Sequence, residues 1–237
     1  NSCLITWREE SIDYQCKGYR MTFYTQSHRQ MQTEFGSTDL ANRIVEAAVA
    51  EQLSEEQIDF IHSRNMFFLS TIDEAGFPSC SYKGGAQGFV RVLDANTLIF
   101  PNYDGNGMYL SMGNIEALGK VGLLFVDFET PKRVRLRGDA RCHREGPLLA
   151  SYPGANLVVE VIIEHAWINC PRYVHQMQPI EQSPYVPDDA GRFHLALWKR
   201  IDLMQDVLTE KERAEAASLG LITIEDYETR IATGQLI

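Results

Sequence analysis

The 237 residues include 22 basic and 32 acidic side chains, a net charge of −10, with 44% hydrophobic and 23% charged residues. These are the proportions of a folded globular chain, which excludes dominant disorder, and a field of this sign repels polyanions, which argues against a general nucleic-acid binder or an anionic-membrane protein. Five widely spaced cysteines without a C-x-x-C pair fit neither a disulfide framework nor a zinc finger. No apolar run approaches the roughly 18 residues of a membrane span, so the expectation is a cytoplasmic protein without a membrane segment or a metal.

In chain order, the first residue is Asn1 and Met21 opens MTFYTQ. Residues 1–20 are therefore expected to be an upstream extension or a vector remnant and are given no functional weight. A helix is predicted over 38–50, where Leu40, Ile44, Ala47 and Ala48 recur at helical spacing behind a capping Thr38. Ser54 to Gln57 has the form of a capping box, so a second helix should run to about Arg64 and complete an N-terminal helical segment, 21–65.

From Met66 the pattern becomes short β-branched and aromatic runs between turns. Strands are predicted at 66–72, 79–83, 88–93, 97–101, 121–128, 132–142 and 156–168, with a helix over 106–118. About seven strands with intervening helices suggest a closed or partly closed barrel, mainly β with flanking helices. Pro171 to Met177 can form a short helix, which would put Cys170 at a helix-initiating turn, and 178–191 reads as a loop. A capping box at Thr209 and another start at Thr223 predict two last helices, so 179–237 is a loop and helical appendage.

Two stretches carry chemistry. In PKRVRLRGDARCHR (131–144), six basic residues stand against one acid. Strand alternation puts Arg133, Arg135, Arg137 and Arg141 on one face and Val134, Leu136, Ala140 and Cys142 on the other. A row of guanidinium forks suits phosphate or carboxylate, or else acids across the sheet. In DGNGMYLSMGN (104–114) a Gly/Asn-rich turn runs into a helix start, with Ser111 and Asn114 adding neutral donors, the chemistry of an anion seat. It is not a P-loop, because five residues separate Gly113 from Gly119 and Val121 stands where a magnesium-binding hydroxyl would. No nucleophile elbow or zincin motif is present, and His165, within a strand, reads as a structural histidine.

The ordered set 66–85, 88–115, 121–128 and 132–141 resembles the pyridoxamine 5′-phosphate oxidase-like family of FMN-binding split β-barrels. The resemblance, covering about 55–178, implies a flavin-binding domain over 66–178 and a homodimer with FMN at the subunit interface. It implies Ser81, Tyr82, Lys83 and Gly84 beside the flavin ring, Pro101 and Asn102 at the end of a neighbouring strand, and Asn106, Ser111 and Asn114 on the phosphate side. Where family members often carry an Arg-Lys pair, this chain has Leu110 and Ser111, so Arg133 or Arg135 is expected to supply charge. A barrel that opens to bind a flat ring should leave apolar surface, with Phe89, Phe125 and Phe128 expected there, for the second subunit to cover.

In activity, the resemblance implies an FMN-dependent oxidoreductase acting on a small molecule, with a flavin-binding or sensing protein without turnover as the alternative and haem or deazaflavin as other ligands of the same barrel. No catalytic acid or base is assigned; Lys83 and Tyr82 are nearest. Pyridoxamine phosphate is not the expected substrate, since Gly85 and Ala86 stand where the family's oxidases have a lysine and the downstream chain is taken to lack their Arg-x-His group.

Overall fold

The computed structural model describes residues 23–237; residues 1–20, expected to be an extension, lie outside the described residues. The chain divides between Ala48 and Val49 into two compact units. In the first, helices α1 (Gln26–Glu34) and α2 (Thr38–Ala48) are joined where Arg29 donates to the Asn42 side chain at 2.7 Å and the Tyr24 hydroxyl donates to the Ala41 carbonyl at 3.1 Å.

The second unit begins with β1 (Val49–Ala50) and α3 (Glu55–His62), followed by β2 (Met66–Ile72), β3 (Pro78–Gly84), β4 (Arg91–Asp94) and β5 (Thr97–Asn102). Next come α4 (Leu110–Leu118), β6 (Lys120–Asp127), β7 (Lys132–His143), α5 (Pro147–Ala150) and β8 (Leu157–Asn169). All strand pairs are antiparallel, in the order β3-β2-β6-β7-β8-β5-β4, with β1 paired to β8. This curved sheet with its flanking helices is a split β-barrel. Helix α3 starts where predicted, with Ser54 and Gln57 in a reciprocal capping box.

Alternation explains the core. On β2, Phe67, Leu69 and Thr71 point inward; on β7, Val134, Leu136, Gly138 and Ala140 do, which leaves the arginines of β7 on the other face. Phe67 is fully buried, stacked on Phe125 at 5.1 Å and Phe89 at 5.9 Å, with Phe100 edge-on at 5.0 Å. Phe89 and Phe125 are thus core residues, contrary to the expectation of exposed surface. Phe125 shares the inward parity of Leu123 on β6, and the Phe89 ring fills the space beside Gly85, where a Cβ would come within 2.5 Å of it. Phe128, past the end of β6, is half-buried.

Three local predictions shift for one reason, backbone in the left-handed region. Gly88 has φ +76° in a turn closed by the Phe89 amide on the Ala86 carbonyl, so the β4 ladder begins only at Arg91. Gly107 (φ +75°) and Tyr109 (φ +50°) cannot be helical, so α4 starts at Leu110 and not at Asn106. Tyr173 (φ +66°) interrupts the segment after Pro171, no helix forms over 171–177, and Cys170 stands at no helix start.

The chain from 170 to 196 has neither helix nor strand, and a 3₁₀ turn, Leu197–Arg200, opens the terminal part. There α6 (Glu210–Leu219) and α7 (Ile224–Ala232) each begin in a capping box, at Thr209 and Thr223, and Leu197, Ile201 and Ile222 form a small core of their own. Among the described residues no helix is long and apolar enough to cross a membrane.

Candidate functional site

The register sorts the candidate residues by face. Ser81 pairs with Leu69, Leu69 with Leu123, Leu123 with Leu136 and Leu136 with Ala166, a row whose four apolar members are all buried, so Ser81 points to the core side. There it meets α4, which packs into the barrel through Met112 and Ile115. Ser111, buried at the start of α4, lies with its hydroxyl 2.7 Å from that of Ser81. One turn later Asn114 donates to the buried hydroxyl of Thr71 at 3.0 Å. Strand β3 and the start of α4 therefore form one polar seam.

Lys83 lies on β3 in the same parity as Ser81, half-buried and without a hydrogen-bond or ion-pair partner among the described residues. Burial pulls its ammonium below the ordinary lysine value of 10.5, the direction that desolvation dictates for a cation. Tyr82 points the other way, 64% exposed and edge-on to Phe68. Its ring lies over Gly84, where a Cβ would come within 2.8 Å of it.

The end of β5 and the loop after it are tied by amides. Pro101 is buried, and Asn102 donates to the Asn156 side chain at 2.9 Å, which in turn donates to the hydroxyl of Tyr109 at 3.1 Å. Exposed Asn106 accepts from the Met108 amide at 3.1 Å, a local turn contact.

The arginines of β7 differ in their commitments. Arg133 donates to the Cys170 carbonyl just past β8, and its Nε is buried without a partner among the described residues. Arg141 pairs with Glu160, which also holds His143 at 3.1 Å. Arg137 donates to Nδ1 of His165 at 3.2 Å, and burial lowers the pKa of that imidazole. Arg135 is exposed and has no hydrogen-bond or ion-pair partner among the described residues. Its row runs Tyr82, Phe68, Leu124, Arg135, Trp167, the face away from Ser81. Three strand spacings between β3 and β7 amount to about 14 Å. One chain thus brings Ser81, Ser111 and Asn114 together and leaves Arg133 and Arg135 apart from them.

Two features escaped the sequence reading. Lys199 is 3% exposed and bonds both Asp104 (2.5 Å) in the glycine-rich turn and Glu212 (2.6 Å) at the start of α6. The capping box at Thr209 marks Glu212 as a helix-start residue but says nothing of a partner 13 residues away. Secondly, an Arg-x-His group does occur downstream, as Arg192-Phe193-His194, which corrects the expectation that it was missing. Arg192 sits on an exposed loop with its guanidinium on Asp188 at 2.7 Å. Among the described residues no group of three or more His, Cys, Asp or Glu could hold a metal ion.

A split β-barrel with a glycine-rich turn feeding a helix against the second long strand defines a class of protein. Residues 53–187, more than half of the chain, match the family model described as pyridoxamine 5′-phosphate oxidase, and the chain belongs to that family. No curated protein matches it. Among solved structures it is similar to HupZ of Group A Streptococcus, with 21% identity over 53% of this chain and 99% of that one and a TM-score of 0.42. A candidate pyridoxamine 5′-phosphate oxidase from Lactobacillus delbrueckii gives 28% identity over 50% and 95% of the two chains and a TM-score of 0.42. An FMN-binding protein from Syntrophomonas wolfei gives 14% over 58% and 93%, with a TM-score of 0.34. With TM-scores this low, the family assignment rests on the family model.

Proposed function

We propose that the protein is an FMN-dependent oxidoreductase of this family, a homodimer acting on a small molecule other than pyridoxamine phosphate. Residues 66–178 are its flavin-binding domain and 179–237 a helical appendage. What supports the reading is the Ser81–Ser111 contact, which joins two segments thirty residues apart that the resemblance assigns to the ring and phosphate sides of one flavin. The donor set fits a phosphomonoester attached to a ring system. Hydroxyls, side-chain amides and glycine-rich backbone are gathered at the seam, and on the other face of the sheet the guanidinium of Arg135 is uncommitted among the described residues.

The flavin, when bound, supplies hydride transfer. Lys83 brings positive charge to the ring at a place where burial has already weakened its hold on a proton, and Tyr82 and Gly84 border the ring on the same strand. Ser111, Asn106 and Asn114 hold the phosphate side. Because Arg135 and Ser81 lie on opposite faces about 14 Å apart, we assign the charge on each phosphate to the partner subunit's Arg135, which makes the homodimer a condition of the site.

Gly85 and Ala86 offer no charged side chain to an anionic substrate, and Arg192 is taken up by Asp188, which turns the proposal away from pyridoxamine phosphate. The test is stopped-flow absorbance. The reading expects NAD(P)H to bleach the bound flavin and an added electron acceptor to restore it, with no turnover of pyridoxamine phosphate. Flavin that stays oxidised favours binding without turnover, and oxidation of pyridoxamine phosphate refutes the substrate assignment.

A further inference from the structure

Lys199 lies within the helical appendage, outside the flavin seam, yet its ammonium ends on the turn that leads into that seam. A lysine this buried must find partners, since an unpaired cation in an apolar interior is strongly disfavoured. It takes two carboxylates from distant parts of the chain, Asp104, 95 residues before it, and Glu212, 13 residues after it. Glu212 is itself fixed, because its other oxygen accepts from the Thr209 backbone amide at 3.0 Å in the capping box. Lys199 is therefore anchored to α6 on one side and grips the turn on the other.

The turn needs such a grip. Gly107 (φ +75°) and Tyr109 (φ +50°) hold left-handed backbone, and a Cβ at Gly105 or Gly107 would meet nothing within 4 Å. A cavity of about 500 Å³ lies between these glycines and the apolar side chains of Trp198, Met204, Val207 and Leu208. On that side the turn is held by charge and not by packing. A further tie, from the Asn156 amide to the Tyr109 hydroxyl, lies at the far end of the loop.

We propose that Lys199 is a positioning residue. By fastening Asp104 to α6 it fixes the glycine-rich turn 104–107 in the form that receives the flavin phosphate, so the C-terminal appendage sets cofactor affinity. The inference rests on the flavin reading above.

The test compares the Kd values of FMN and riboflavin, which lacks the phosphate, for wild type, Lys199→Met and Lys199→Arg, together with amide hydrogen exchange over 104–113 and over β3. The expected result for Lys199→Met is a loss of FMN affinity of about tenfold or more, about 1.4 kcal/mol by conversion, with riboflavin affinity within about twofold. Exchange should rise over 104–109 and stay unchanged over β3. Lys199→Arg should recover most of the FMN affinity, because a guanidinium can span the same two carboxylates. Should Lys199→Met not fold, Asp104→Asn, which leaves Lys199 its Glu212 partner, carries the same expectation. Equal losses for FMN and riboflavin, or an unchanged FMN affinity in a folded variant, overturn the inference alone. Wild type that binds neither ligand overturns the flavin reading and the inference with it.

Discussion

Replacing Glu212 by Gln removes one charge from the Lys199 cluster while keeping an acceptor for the Thr209 cap, so it isolates the electrostatic contribution. The Lys199 ammonium first, then the Thr209 hydroxyl and amide, hold the Glu212 carboxyl down to about 2, against an ordinary value of 4.5. At 1.36 kcal/mol per unit the full shift would be worth about 3 kcal/mol; with the side chain 26% exposed, water screens part of it, and about 2 kcal/mol is expected. A carboxyl whose folded value lies below its unfolded one contributes fully above the unfolded value and loses that contribution as pH falls toward the folded one. Burial works to lower the Lys199 pKa, but Asp104 and Glu212 together hold it above its ordinary 10.5, so its share is lost only as pH rises beyond that value, and the Lys199–Glu212 attraction is counted once. Urea unfolding should find Glu212→Gln about 2 kcal/mol less stable than wild type at pH 7, with the gap closing between pH 4.5 and about pH 2. A gap of the same size at both ends of that range would show that Glu212 acts through shape or capping, and would refute the charge reasoning.

Gly138 sits at the bulge between β7 and β8, where an added Cβ would come within 2.0 Å of the Ile162 carbonyl oxygen. Backbone cannot swing aside, so Gly138→Ala should cost more than the roughly 1–3 kcal/mol of ordinary overpacking, read as a fall in urea midpoint or as insoluble protein; an unchanged midpoint contradicts the packing described. Arg135→Ala should weaken FMN binding roughly tenfold to a hundredfold, the value of a charge-assisted contact of about 1.5–3 kcal/mol, while riboflavin binding holds. Equal effects on both ligands would mean that Arg135 acts through folding.

Most of the barrel was legible because its strands bury alternate residues. Phe67, Leu69 and Thr71, or Val134, Leu136 and Ala140, announce both the strand and its inner face. The starts of β4 and α4 were not, because Gly88 and Tyr109 adopt left-handed backbone that tertiary contacts, not local pattern, select. Parity put the β7 arginines on one face correctly, but nothing local separates Arg133, which the Cys170 carbonyl just past β8 captures, from Arg135. The Lys199 bridge joins residues 95 apart, a contact no periodicity carries. The candidate site divides in the same way. Its members on β3 and α4 meet, whereas the distance from there to Arg135 follows only from the strand order.

The most direct measurement of the central claim is native mass spectrometry of freshly purified protein, which weighs chains and ligand together. The account predicts a species of two chains carrying two FMN molecules, with FMN identified on release. A monomer, or a dimer that carries haem, a dinucleotide or no ligand even after incubation with excess FMN, would contradict it.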